Sequence, residues 1–164
     1  MRVGFIGLGS MGLAMSERLL AAGFELYVWA RRPASTNSLV EQGATLCVSP
    51  AALARSVELV CTNVTSSTDV EGLATGADGL IEGLETGTLH IDFSTIAPET
   101  ARRIAGIYAA RGIDFIDAPV SGGSSAARSG SLAIMWGGCA SRAEELAARI
   151  KPVFDCIGKT AVYV

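Results

Sequence analysis

The chain has 164 residues, 49% of them hydrophobic and 18% charged, with a formal net charge of −3 from 13 basic and 16 acidic side chains. That length suits one domain with a core of its own, and the apolar content excludes a disordered tail. No charge-free stretch is longer than Val3–Ser16, short of the roughly 18 apolar residues of a membrane helix, and no basic run exceeds a pair, which argues against nucleic acid as the main ligand.

The elements follow in chain order. Arg2–Ile6 reads as a β-rich run ending in glycines. Met11, Met15, Leu19 and Ala22 recur at helical spacing, and Gly23 closes that segment. A strand is expected at Leu26–Trp29, a helix near Ser35–Gln42 and a short strand at Thr45–Val48. Ser49-Pro50 opens a helix with proline in its first turn. A strand begins the run Val57–Val64, and a short helix is expected at Thr68–Leu73. Ala74–Gly87 is glycine-rich and reads mostly as loop. Thr88–Phe93 is a strand, Pro98 opens an amphipathic helix, and Ile113–Ala118 is the next strand. Gly122–Gly130 is a small-residue segment, and Leu132–Trp136 a strand. Ser141-Arg-Ala-Glu144 reads as a capping box before a last helix, and Ala161–Val164 as a terminal strand. Repeated strand–helix–strand units imply an α/β fold of the doubly wound type, with a mostly parallel sheet and helices on both faces. The later strands sit closer together, so an antiparallel part is expected there.

The cysteines Cys47, Cys61, Cys139 and Cys156 form no CxxC pair, and there is one histidine, His90. These are too few ligands for a structural zinc site, so no metal is expected. Free, mostly buried thiols fit a reducing compartment, and the expectation is a soluble cytoplasmic chain with no membrane partner.

The first chemical signal is Gly7-Leu8-Gly9-Ser10-Met11-Gly12, a GxGxxG run that follows a strand and opens a helix. In that context the first glycine serves a tight turn, the second lets a pyrophosphate approach the backbone, and the third allows close helix–strand packing. The helix N-terminus then offers free N–H groups to the phosphates. The end of the second strand reads Trp29-Ala30-Arg31-Arg32. The carboxylate that would hold the ribose 2′-hydroxyl of NAD is replaced by two guanidiniums suited to a 2′-phosphate, so NADP is expected ahead of NAD. His90 reads as a structural residue, and Asp92 and Asp117 as turn-capping carboxylates rather than acid–base groups.

Two further motifs are Asp92-Phe-Ser94-Thr95-Ile-Ala-Pro98 and Asp117-Ala-Pro119-Val-Ser121-Gly122-Gly123. Together with the N-terminal glycine run, in this order, the whole chain resembles the β-hydroxyacid dehydrogenase family. That family includes 3-hydroxyisobutyrate dehydrogenases, tartronate, glyoxylate and succinic semialdehyde reductases and, more distantly, 6-phosphogluconate dehydrogenases. The resemblance implies a Rossmann-type fold and a small acid substrate. It implies that Gly7 through Gly12 hold the pyrophosphate and that Ala30, Arg31 and Arg32 flank the adenosine 2′-position. Val64 and Thr65 would pass beside the cofactor, Thr95 would sit near the nicotinamide, and Ser121, Gly122 and Gly123 would bind the substrate carboxylate. The hydroxyl and backbone N–H groups of that last run suit an anion.

The resemblance also implies that residues 1–164 are the dinucleotide-binding domain alone. The family's second domain is helical, carries a proton-donating lysine in a GxxxKxxNN-type motif, and would be the route to any homo-oligomer. Lys151 and Lys159 match no such motif, so no catalytic residue is expected in this chain. Two other readings stand beside this one: a stand-alone dinucleotide-binding module without catalysis, and the cofactor domain of an imine reductase.

Overall fold

In the computed structural model, which describes residues 1–164, side chains alternate across β1 (Arg2–Ile6). Val3 and Phe5 enter one core cluster, and Ile6 enters another on the opposite face. The chain then runs through α1 (Ser10–Ala21), β2 (Glu25–Trp29), α2 (Asn37–Glu41), β3 (Thr45–Leu46), α3 (Pro50–Ser56) and β4 (Leu59–Thr62). It continues through α4 (Ser67–Thr75), β5 (Leu89–Asp92), α5 (Pro98–Ala109) and β6 (Asp114–Asp117). These six strands form one sheet in the order β3-β2-β1-β4-β5-β6, every pair parallel. The order reverses between β1 and β4, and in open α/β sheets the crevice at the carboxyl end of such a switch point is where ligands bind.

The remaining chain forms β7 (Val120–Ser121), α6 (Gly123–Ser129), β8 (Leu132–Trp136), α7 (Ala143–Ile157) and β9 (Gly158–Tyr163). Here β7 is antiparallel to β8, and β8 is parallel to β9. The antiparallel character expected late in the chain is therefore real, but it belongs to a separate three-stranded sheet. A single bridge between Asp117 and Gly137 joins that sheet to the end of β6.

Both faces of the large sheet are covered, as a parallel sheet requires. On one face α1 and α7 bring Met15, Leu19, Leu146, Ile150 and Phe154 onto Val3, Phe5, Leu89 and Ile91. On the other, α3, α4 and α5 bring Leu53, Val70, Ile104 and Tyr108 onto Val60 and Phe115. Each such side chain contributes about 1.5–3 kcal/mol when fully buried.

Several local expectations are corrected. The third strand stops at Leu46, and Val48 is exposed. The fourth occupies Leu59–Thr62 rather than starting at Val57, whose side chain packs with α3. The helix after it begins earlier than expected, because Ser66 caps it by accepting from the Asp69 N–H. Within Ala74–Gly87, Leu80–Glu82 forms a 3₁₀ turn. The small-residue segment contains helix α6, ended by Gly130 at φ 69°. The capping box at Ser141 does not form. Ser141 lies inside a 3₁₀ turn, Ala140–Arg142, and its hydroxyl meets Cys139 Sγ at 3.3 Å. Arg142 stands at the N-cap of α7 instead, pairing with Glu145 and with the buried Asp114. Of the four free cysteines only Cys61 is buried; Cys139 is exposed in the turn after β8. No helix is long and apolar enough to cross a membrane.

Candidate functional site

The turn from β1 into α1 is built by three glycines with three different constraints. Gly7 adopts φ +98°, and a Cβ on it would lie 2.1 Å from the Asn63 carbonyl oxygen. A Cβ on Gly12 would lie 1.8 Å from the carbonyl oxygen of Gly7, so the helix can close on the strand only without one. A Cβ on Gly9 would meet nothing within 4 Å. Gly9 is the N-cap of α1, and no side chain caps the helix there. The first-turn N–H groups, including those of Ser10 and Met11, are thus left facing open space with the positive end of the helix dipole behind them.

That space continues into a groove of about 380 Å³. Gly7, Leu8 and Gly9 form its floor. Ala30, Arg31 and Arg32 form one wall with Trp29 and Ser35, and Asn63, Val64, Thr65, Thr68 and Asp69 form the other. Of the residues expected around a dinucleotide, the glycine turn, the arginine pair and the Val64-Thr65 loop are therefore brought to one cleft, at the topological switch point. The sequence reading missed Trp29, Ser35, Asn63, Thr68 and Asp69. Only strand order makes β4 and α4 neighbours of the glycine turn, and no local pattern announces it.

Thr95 does not line this groove. It is exposed on the loop between β5 and α5, which is stitched to the Val64 loop and to the start of α4. The Val64 N–H donates to Ser94 Oγ at 2.8 Å, and the Ala97 N–H donates to Ser67 Oγ at 3.0 Å. Ser94 in turn donates to Asp92 Oδ1 at 2.7 Å, and Thr62 donates to the same oxygen at 2.7 Å. Ser121, Gly122 and Gly123 lie outside the groove as well, at the end of β7 and the start of α6. Helix α6 packs against α1, and Arg18, in the last turn of α1, donates to the Arg128 carbonyl at 3.1 Å. That contact holds the C-terminal end of α6 against the last turn of α1.

The titratable residues behind this surface are structural. His90 is fully buried between Thr62 (2.8 Å) and Tyr108 (3.3 Å), and burial pushes its pKa down to about 3, so it is neutral. Asp92 is also fully buried; burial pushes its pKa up, against the bonds from Thr62 and Ser94. Its register partner Asp117 is half-buried, with one oxygen buried and unpaired. Burial first, and then the charge of Asp92, raises the Asp117 pKa to about 6.

A folded-state pKa above the unfolded value means that the native chain holds an extra proton between about pH 4 and 6. The contribution of Asp117 to stability therefore falls as pH rises through that window and is flat above it. Asp117→Asn is expected to gain about 1 kcal/mol on the parent between pH 4.5 and 7.5, the shift being discounted for partial exposure. Urea melts at the two pH values check this; an identical difference at both overturns it.

With this geometry in place, the comparisons with known proteins decide the family. The family model described as "NAD binding domain of 6-phosphogluconate dehydrogenase" matches residues 2–164. The chain belongs to that family. This NAD-binding domain is 41% identical to 3-hydroxyisobutyrate dehydrogenase of Pseudomonas aeruginosa over 157 residues, which are 96% of this chain and 51% of that protein. It is 37% identical to an NAD-dependent L-serine dehydrogenase of the same species, over 96% of this chain and 52% of that one. Among solved structures, one described as Psf3 in complex with NADP+ and 2-OPP superposes with a TM-score of 0.92 at 36% identity, over 99% of this chain and 56% of that chain. The NAD-binding domain thus spans about half the length of the curated relatives it matches.

Proposed function

We propose that the chain is the cofactor-binding part of an oxidoreductase that moves hydride between a nicotinamide dinucleotide and a small β-hydroxyacid or semialdehyde acid. The observation that carries this reading is the open Cβ position of Gly9 at an uncapped helix N-terminus, inside a groove that has two arginines at its far wall. Glycine there leaves room for a diphosphate to reach the backbone N–H groups, while Gly7 and Gly12 hold the turn shut behind it. The relatives named for 3-hydroxyisobutyrate and for L-serine support the substrate class, since both substrates are small carboxylates bearing a β-hydroxyl.

When bound, the cofactor supplies or accepts the hydride. The chain's own residues bind and orient it. Gly7 through Gly12 receive the pyrophosphate, Ala30, Arg31 and Arg32 flank the adenosine 2′-position, and Val64 and Thr65 lie along its length. Thr95 stands by the nicotinamide on the loop that Ser94 and Asp92 fix. Ser121, Gly122 and Gly123 take the substrate carboxylate through one hydroxyl and backbone N–H groups. No side chain of this chain is assigned the proton transfer. Residues 1–164 are one dinucleotide-binding domain, and the proton donor and any homo-oligomer contacts belong to a partnering helical domain of the kind the family resemblance implies.

NADP is preferred to NAD in this reading, because no carboxylate follows β2 and Arg31 and Arg32 do. Arg31 is 77% exposed, so its contribution belongs at the weak end of charged hydrogen bonds, about 1–1.5 kcal/mol. Arg31→Ala is accordingly expected to weaken NADPH roughly tenfold and to leave NADH nearly unchanged. Calorimetric titration of both variants with both dinucleotides measures it; equal losses for the two cofactors, or tighter NADH binding by the parent, refute the preference.

A further inference from the structure

The adenosine end of the groove holds a carboxylate as well as the arginines. Asp69, in the first turn of α4, lies across the groove from the end of β2, and its Oδ1 meets Arg31 Nη1 at 3.3 Å. Its other oxygen, Oδ2, accepts from Ser66 Oγ at 2.7 Å, and its own N–H donates back to Ser66 Oγ at 3.1 Å. This reciprocal cap fixes the carboxylate at the rim, with 27% of the side chain exposed. Arg31 is the exposed partner: it is largely in solvent and makes no other ion pair.

We propose that Asp69 sets the balance between the two dinucleotides by competing with a 2′-phosphate for Arg31. The inference rests on the reading of this groove as a dinucleotide site. A 2′-phosphate entering beside Arg31 must displace Asp69 from the guanidinium and then sit next to a fixed negative charge. A 2′-hydroxyl meets no such repulsion, and it can donate to the carboxylate. Asp69 thus supplies from α4 the acidic group that the end of β2 lacks, and the groove takes both cofactors. Arg31 pairs with Asp69 in one case and turns to the phosphate in the other.

Asp69→Asn is the test, because the amide oxygen still accepts from Ser66 and the cap survives. Titration of the parent and the variant with NADPH and with NADH is expected to show the NADPH-to-NADH affinity ratio rising about five- to tenfold, the size of a screened charge–phosphate interaction over several Å. The rise narrows in high salt and is smaller when Arg31→Ala is already present, because the competition for the guanidinium is then gone and only the direct charge–phosphate repulsion remains, a coupling that a merely structural cap does not produce. Asp69→Glu, which keeps the charge, holds the ratio near the parent's. If the ratio in Asp69→Asn stays at the parent value while both cofactors still bind, the role of Asp69 is overturned and the groove reading stands. If neither dinucleotide binds the parent, the groove reading falls and takes this inference with it.

Discussion

Gly9→Val is expected to abolish dinucleotide binding in a chain that stays folded, and Gly12→Val to unfold it. The two positions are three residues apart in one motif, and the difference between them is steric. A Cβ on Gly9 meets nothing within 4 Å, so the fold loses little. The valine instead fills the approach to the first-turn N–H groups of α1. Losing two or three hydrogen bonds to an anion, at about 1.5–3 kcal/mol each, lowers affinity by at least 100-fold. On Gly12 even the first added carbon falls 1.8 Å from the Gly7 carbonyl oxygen. The backbone cannot yield there without lifting α1 from β1, and with it Met15 and Leu19 from the core. A loss of roughly 4 kcal/mol or more is expected, a large share of the ~5–15 kcal/mol that holds a domain together. Circular dichroism with cofactor titration separates the outcomes. A Gly9→Val chain that is native by dichroism and binds as the parent does reduces the motif to a turn.

The 164-residue chain is expected to bind NADPH and to reduce no substrate by itself. Hydride delivery to a carbonyl leaves charge on oxygen, and a proton donor has to stand at that oxygen. None of the chain's candidates does. Lys151 is paired with Asp155 at 2.7 Å on the exposed face of α7, and Lys159 lies exposed at the start of the edge strand β9. His90 and Asp92 have no exposed surface. Asp117 opens not on the dinucleotide groove but on a second cavity of about 620 Å³, beside α5 and the turn after β8. The check is to follow NADPH absorbance with succinic semialdehyde, glyoxylate and tartronate semialdehyde in turn. Turnover on the order of 1 per second or faster would show a donor within this chain, with Asp117 the first to mutate.

The sequence by itself determined the parts of the protein whose contacts are local. The glycine turn was legible because strand, glycines and helix follow one another without a break, and Gly12 closes on Gly7 within six residues. The arginines at the end of β2 were legible for the same reason, since a strand that pairs beside β1 must end at the mouth of the turn. A mostly parallel sheet with helices between its strands followed from periodicity; its division into six parallel strands and a separate three-stranded sheet did not. Tertiary structure decided what those strands bring together. Placing β4 against β1 sets Asn63 under Gly7 and Asp69 opposite Arg31, residues 38 positions apart in the chain with no shared pattern. Pairing β5 with β6 aligns Asp92 with Asp117, so that the charge of Asp92 adds to burial in raising the Asp117 pKa. It also decided against the capping box at Ser141: Arg142 takes the N-cap because the buried Asp114 at the start of β6 draws its guanidinium. A charge in the core needs its partner, and a surface serine does not need its cap.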